Sequence, residues 1–318
     1  MTTGTIVKDD SIIFVLSLPR SGSTLLQRVV AQSEHVIFPA EPWVLLPLLN
    51  TVSPKLKSFS EYNSVSYLNA TEDFIEVIGR DQYLAGIAKF YGSIITEEKK
   101  KKGASIYIDK TPRYSVYCEE LIEAFPNAKF IILKRNPLAV IASICRSWKK
   151  DTLRIQDYFV DIYDGYVSIN NFSDKFSEKE NVMTLDYDDM VKANFEWSRL
   201  FEFIGAPYHN DYINNINNVK IQGRMGDNVG RNKYKKISDK SAEEWVGFYN
   251  NPIRRSFARN YANEIKKKNI DIDVKFTKYN KEINIKTTFF DAYYFLRDSL
   301  VRLFKLNIIS RTGNKAIR

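Results

Sequence analysis

Two short stretches of this 318-residue chain carry side chains whose types and spacing suit the binding of phosphate-like anions. The first is Leu18-Pro19-Arg20-Ser21-Gly22-Ser23-Thr24, set between an apolar run at 12–18 and a helical pattern. A strand, a tight glycine-containing turn and a helix start aim unpaired backbone N–H groups and the positive end of the helix dipole at one place. Arg20, Ser21, Ser23 and Thr24 add side-chain donors. The loop is neither GxxxxGK[ST] nor GxGxxG, and Arg20 is its only cation. Taken alone it is also an ordinary capped helix start. The second stretch is Phe130-Ile131-Ile132-Leu133-Lys134-Arg135-Asn136-Pro137, with Ser143 eight residues after Arg135. Proline favours the first helical position, so Arg135 is expected at the carboxyl edge of a sheet, where α/β proteins bind ligands. Ser143 falls about two turns into the following helix and can meet the same anion only along the helix flank. A strand-end arginine paired with a carboxylate is the alternative. Together the two stretches suggest a ligand with separated phosphates.

The elements that must position these residues follow from hydrophobic patterning. Apolar, β-rich runs at 12–18, 105–108, 129–134 and 182–185 alternate with helical patterns. This predicts βα units and an α/β fold, with a mostly parallel central sheet flanked by helices. Helices are expected over 21–32, 84–98, 116–125, 138–149, 156–172, 188–204, 241–248 and 252–266, the sixth stopped by Gly205-Ala206-Pro207. The stretch 214–237 is rich in Gly, Asn and basic residues and reads as a long ordered loop, and 267–286 reads as a linker. The last helix, 289–306, is amphipathic, with an apolar stripe of Phe289, Tyr293, Leu296, Leu300, Leu303 and Phe304. The organisation expected is a main domain of 1–285 followed by a basic amphipathic helix and tail of 286–318.

Composition narrows the classes. With 47 basic and 38 acidic residues the formal charge is +9, while 44% hydrophobic and 27% charged content is ordinary for a globular protein. Disorder, collagen and repetitive fibres are excluded. Two cysteines and two histidines offer no disulfide framework and no material for a zinc site, and they fit a reducing, cytoplasmic setting. The segment 1–10 carries Asp9 and Asp10 and does not read as a signal peptide, and no run reaches 18 apolar residues. Residues 287–318 hold six basic and two acidic side chains, so +4 of the +9 lies in the last tenth of the chain. That helix reads either as one docked on the core or as a peripheral contact with the inner face of a membrane.

The stretches LPRSGSTLL and KRNPLAVIAS resemble the 5′-phosphosulfate loop and the 3′-phosphate motif of sulfotransferases that use 3′-phosphoadenosine 5′-phosphosulfate (PAPS). Ala40-Glu41-Pro42 follows Arg20 by 21 residues, similar to the spacing from loop arginine to catalytic glutamate in tyrosylprotein sulfotransferases. Asp109-Lys110-Thr111-Pro112 resembles the lysine-containing segment of that branch, and Leu185-Asp186-Tyr187 a strand–helix junction of the family. The segment 223–231, ending in Arg231, is loosely similar to a cofactor-covering loop. The resemblance spans about 11–265.

The resemblance implies a P-loop-like fold and transfer of a sulfuryl group from PAPS, without a metal, to a hydroxyl or amine. Positioning and charge stabilisation would carry most of the catalysis. Arg20 and Lys110 are the cations expected near the phosphosulfate, with the backbone of Ser21, Gly22, Ser23 and Thr24 on the 5′-phosphate. Arg135 and Ser143 are expected on the 3′-phosphate, with Tyr187 and Arg231 as further cofactor-binding residues. Glu41 is the candidate general base, and its alternative is a salt bridge to Arg20 or Lys110. The Asn-, Lys- and Ile-rich composition reads as bacterial, which favours a hydroxyl on a carbohydrate or glycolipid as acceptor; no nucleic-acid partner is implied. Two other classes remain. A P-loop nucleoside or sugar kinase lacks its Walker lysine and a magnesium-binding aspartate at a strand end. A non-enzymatic basic protein that binds membrane or nucleic acid through its tail explains the charge but leaves both motifs unused.

Overall fold

The computed structural model describes residues 11–56, 63–216, 219, 237, 240–276 and 285–303. The chain divides into two compact bodies: Met1–Arg135 with Ser168–Asp239, and Asn136–Val167 with Lys240–Arg318. In chain order the first body holds β1 (Ile12–Ser17), α1 (Ser23–Val30), β2 (Val36–Ile37), α2 (Leu45–Val52), α3 (Ser64–Ile78), α4 (Arg80–Lys102), β3 (Ile106–Asp109), α5 (Cys118–Ala124) and β4 (Lys129–Lys134). The second body then begins with α6 (Pro137–Trp148), and the first resumes along α7 (Tyr166–Phe176), β5 (Val182–Asp186), α8 (Tyr187–Met190), α9 (Trp197–Ile204) and α10 (Asp211–Asn214). The rest of the second body is α11 (Lys240–Glu243), α12 (Pro252–Lys266) and α13 (Ile285–Leu303).

The five strands form one parallel sheet in the order β2-β3-β1-β4-β5. All six residues of β1 are buried, as its unbroken IIFVLS run requires of a strand covered on both faces. The Phe14 ring anchors this core against Tyr114, Phe125 and Phe130. β3 pairs Asp109 with Phe14 and stops there, while β1 runs on to Ser17 opposite Leu133 of β4. The segments after β1, β3 and β4 therefore leave the same edge of the sheet, beside the strand where chain order changes direction. This is where a doubly wound sheet holds its ligand.

The parallel sheet and four anticipated strands are present, and several boundaries differ for local reasons. β2 has only two residues, too few to show a strand period. The helices α2 and α3 were not anticipated; α3 has no buried residue to mark a core face. The helix expected over 156–172 is a 3₁₀ turn at Gln156–Tyr158, a π-helical turn at Val160–Gly165 and then α7. Within the second body the wider turn leaves the Ile162 carbonyl to accept from the Tyr261 hydroxyl. The helix expected over 188–204 is broken between α8 and α9 by turns at 191–196. Most of 214–237, Arg231 included, lies outside the described residues.

In the second body α13 runs from Ile285 to Leu303 and shares that body with 136–167 and 240–266. Its rotation is set by Asp291, which is fully buried and accepts from Arg254 Nε at 2.7 Å, Asn251 Nδ2 at 2.9 Å and the Leu153 backbone N–H at 2.7 Å. Phe295 adds an edge-on ring contact with Phe257 of α12. Four residues of the expected apolar stripe thus point away from the docked side, Phe289, Tyr293, Leu296 and Leu300 all being more than half exposed, while the Leu303 and Phe304 side chains lie outside what the structure describes. Among the described residues no helix is long and apolar enough to cross a membrane.

Candidate active site

The loop after β1 turns through two left-handed residues, Arg20 at φ 67° and Gly22 at φ 98°. Gly22 is required twice over. Its φ is costly for any residue with a Cβ, and a Cβ built there would lie 2.2 Å from Cδ2 of Tyr187. The Ser21 N–H donates to the Leu18 carbonyl, and the Gly22 carbonyl accepts from Leu25 at 2.9 Å, which closes the first turn of α1. The first N–H groups of α1 have no partner within the helix, by the geometry of any helix start. The hydroxyls of Ser17 and Ser21 are buried and have no hydrogen-bond partner among the described residues. Buried polar atoms normally find partners, so two orphaned hydroxyls beside a helix N-terminus suit an anionic ligand.

Arg135, at the end of β4, braces this loop. One of its terminal nitrogens donates to the Arg20 carbonyl at 3.0 Å, and the guanidinium lies 4.0 Å from the centre of the Tyr187 ring. Tyr187 is buried, its edge against Gly22 and its face under Arg135. Strand β5 delivers it there, because the chain turns into α8 directly after Asp186, whose side chain caps the turn by accepting from the Asp188 N–H at 2.7 Å. Loop, arginine and tyrosine form one packed unit, with the planar fork suited to bidentate phosphate contact.

A second cluster surrounds Glu41 and Lys110. Lys110 is 1% exposed, and its Nζ donates to Oε1 of Glu41 at 2.9 Å. Trp43 Nε1 donates to Oε2 at 3.1 Å, so each carboxylate oxygen has a named partner. Of the salt bridges anticipated as alternatives for Glu41, the one to Lys110 is present. Trp43 adopts φ 57°, a left-handed backbone that is costly for a bulky residue, and the Arg113 guanidinium stands 5.9 Å from its ring. The segment leading to Glu41 is held from α1, where Gln27 Nε2 donates to the carbonyls of Phe38 and Pro39.

Behind Lys110, Asp109 is fully buried and accepts from Tyr91 at 2.5 Å, Thr111 at 3.0 Å and Tyr114 at 3.2 Å. Burial pushes its carboxyl up to about 6, against the pull of these three donors and the Lys110 charge. Burial likewise raises the Tyr91 and Tyr114 phenols, with the nearby Asp109 charge adding to it. Sequence reasoning missed Gln27, Tyr91 and Tyr114, whose partners lie from 5 to 69 positions away with no shared period. Only Asp109, next to Lys110 in the quoted motif, carried a visible signal.

The described geometry thus joins Arg20, Gly22, Arg135 and Tyr187 in one cluster, and Glu41 with Lys110 in another, at one edge of the sheet. Ser143 lies half-buried on α6 in the second body, which Asn136 caps by accepting from the Leu138 N–H at 2.9 Å. Cys118 and Cys145 are buried, and burial pushes both thiols up to about 12, so neither is a nucleophile.

Comparison with known proteins bears on this arrangement. Residues 12–210, which hold both clusters, match the model of the sulfotransferase family. The chain belongs to the sulfotransferase family. Among relatives of this sulfotransferase chain, nodulation protein NoeE of Sinorhizobium fredii is 31% identical over 139 residues, covering 43% of this chain and 32% of NoeE. Protein-tyrosine sulfotransferase of Drosophila melanogaster is 25% identical over 261 residues, covering 78% of this chain and 49% of the fly protein. The aligned stretches thus span a third to a half of these relatives. The sulfotransferase domain from the Synechococcus PCC 7002 olefin synthase shares the fold, with a TM-score of 0.50 at 22% identity over 74% of this chain and 86% of that one.

Proposed function

We propose that this chain catalyses transfer of a sulfuryl group from PAPS to a hydroxyl of a carbohydrate or glycolipid acceptor in the cytoplasm. The observation that carries the reading is the loop after β1, with a left-handed glycine pressed on Tyr187, two orphaned buried hydroxyls and Arg135 bound to its backbone. PAPS supplies the sulfuryl group when bound. Arg20, the orphaned Ser21 hydroxyl and the N–H groups of Gly22, Ser23 and Thr24 hold its 5′-phosphate end, and Arg135 takes the 3′-phosphate. Ser143 and Arg231 are assigned to the same cofactor by motif order alone. Tyr187 acts through Gly22 and Arg135, fixing the distance between loop and guanidinium. Glu41 receives the proton of the acceptor hydroxyl, oriented by Trp43 and Lys110. Lys110 brings positive charge to the place where negative charge builds on the leaving phosphate. The site uses no metal in this reading.

A thermal-shift titration tests the donor: adenosine 3′,5′-bisphosphate beside ATP-Mg²⁺ and AMP, on the wild type and Arg135→Ala. At about 100 times its dissociation constant a specific ligand adds about 2.7 kcal/mol of stability. A shift seen only with the bisphosphate, and lost in the variant, is expected. An equal response to ATP-Mg²⁺ would overturn the reading in favour of a kinase. Radiolabelled PAPS offered with glycans, glycolipids and a tyrosine peptide then tests the acceptor; label appearing only in the peptide would overturn the carbohydrate assignment.

A further inference from the structure

The exposed row on α13 has no counterpart in the proposed chemistry. Phe289, Tyr293, Leu296 and Leu300 are 70%, 56%, 62% and 53% exposed and recur at helical spacing on one face. This face is held outward by built structure. On the other side Asp291 is locked to Arg254 and Asn251, and Arg254, 2% exposed, also donates to the Phe248 carbonyl at 3.0 Å and stacks 3.9 Å from the Phe248 ring. Turning the helix to bury its row would expose Phe295 and pull a buried carboxylate from its three donors.

Two features indicate what covers the row. Residues 287–318 carry six cations and two acids, and Asp291, one of those acids, is already consumed inside the body. The 15 residues from 304 to 318 hold four cations and no acid. Aromatic and aliphatic side chains on one helix face, followed along the chain by excess positive charge, fit the boundary between anionic headgroups and acyl chains. Next to the docked flank, Phe295 and Ser299 line a cavity of about 90 Å³ walled by Tyr163, Phe257 and Tyr261. That space accommodates a few methylene groups.

We infer that α13 is a membrane-binding element, laying Phe289, Tyr293, Leu296 and Leu300 into an anionic lipid surface while Asp291 keeps it fastened to its own body. Deleting 287–318 would not test this cleanly, since it strands Arg254 without its carboxylate. Substitutions on the exposed row avoid that problem. The full chain is sedimented with vesicles of phosphatidylcholine alone and with about 30% phosphatidylglycerol, as wild type, as Leu296→Glu/Leu300→Glu, and as Phe74→Glu on the exposed face of α3. The wild type and Phe74→Glu are expected to pellet with anionic vesicles, and the double variant to lose about tenfold or more in partitioning at an unchanged melting temperature. Absence of pelleting with anionic vesicles, equal loss in Phe74→Glu, or retention by the double variant would each overturn the inference. So would a dimer in light scattering that the double variant dissociates, because a second copy would then be what covers the row.

Discussion

Arg135 and Lys110 each follow a buried parallel strand of the same sheet, yet their surroundings differ in kind. Arg135 is half-buried and rests on a tyrosine ring and a backbone carbonyl, neither of which carries a full charge. Lys110 is almost wholly buried and faces a carboxylate at 2.9 Å. A guanidinium stays charged in such surroundings, and its planar fork of donors matches the geometry of a phosphate. A buried ammonium needs a counter-charge, because the desolvation of one ion alone is prohibitive. The first arrangement suits holding a ligand's permanent charge. The second suits chemistry, since the partner of a buried ammonium is a carboxylate already oriented by it.

The comparison can be broken in four ways, from the largest expected effect to the smallest. Glu41→Gln should lower the rate of sulfuryl transfer by about 100- to 10,000-fold while bisphosphate-induced stabilisation stays near the wild-type value. Loss of both together would dissolve the distinction between the clusters. Lys110→Ala should cost about 3 kcal/mol in urea unfolding, with much of that recovered when Glu41→Ala is added; an additive double-mutant cycle would show that the pair does not act as a unit. Asp109→Asn should reveal a pH signature. The Asp109 carboxyl is raised to about 6 in the folded protein from an ordinary 3.8. Between these values the folded state binds the proton that the unfolded state releases, so stability falls as pH rises. The stability of wild type relative to Asp109→Asn should drop by about 2 kcal/mol from pH 4 to 7, and a flat difference would mean the carboxyl is not desolvated. Last, Arg135→Ala removes the hydrogen bond to the Arg20 carbonyl and the contact with the Tyr187 ring, and should change stability without ligand by about 1 kcal/mol. A loss several times larger would recast Arg135 as structural.

How much of this was legible beforehand varies with the range of the contact. The loop from Leu18 to Thr24 and the Arg135 motif were visible because strand, turn and helix start follow one another directly along the chain. The Glu41–Lys110 bridge was visible only as one of two alternatives, since it spans 69 positions. The caging of Asp109 by Tyr91 and Tyr114 left no pattern, because each tyrosine also serves as an ordinary apolar position of its own element. On α13 the sequence showed an apolar stripe, and a stripe alone favours burial. Asp291, an unremarkable acid in sequence, settled which side docks.

By itself, then, the sequence determined the parallel α/β sheet, the strand–turn–helix unit at the first strand, the strand-end cations and the excess of charge toward residues 287–318. All of these depend on neighbours within a few residues, where backbone geometry and helix or strand period leave little choice. Only the tertiary structure decided that Tyr187 requires a glycine at 22, that Glu41 is shared by Lys110 and Trp43, and that α13 turns its apolar row to the outside. Those outcomes come from desolvation and close packing between distant segments. A buried charge must find its partner and a ring must find its space, and neither demand is written in local spacing.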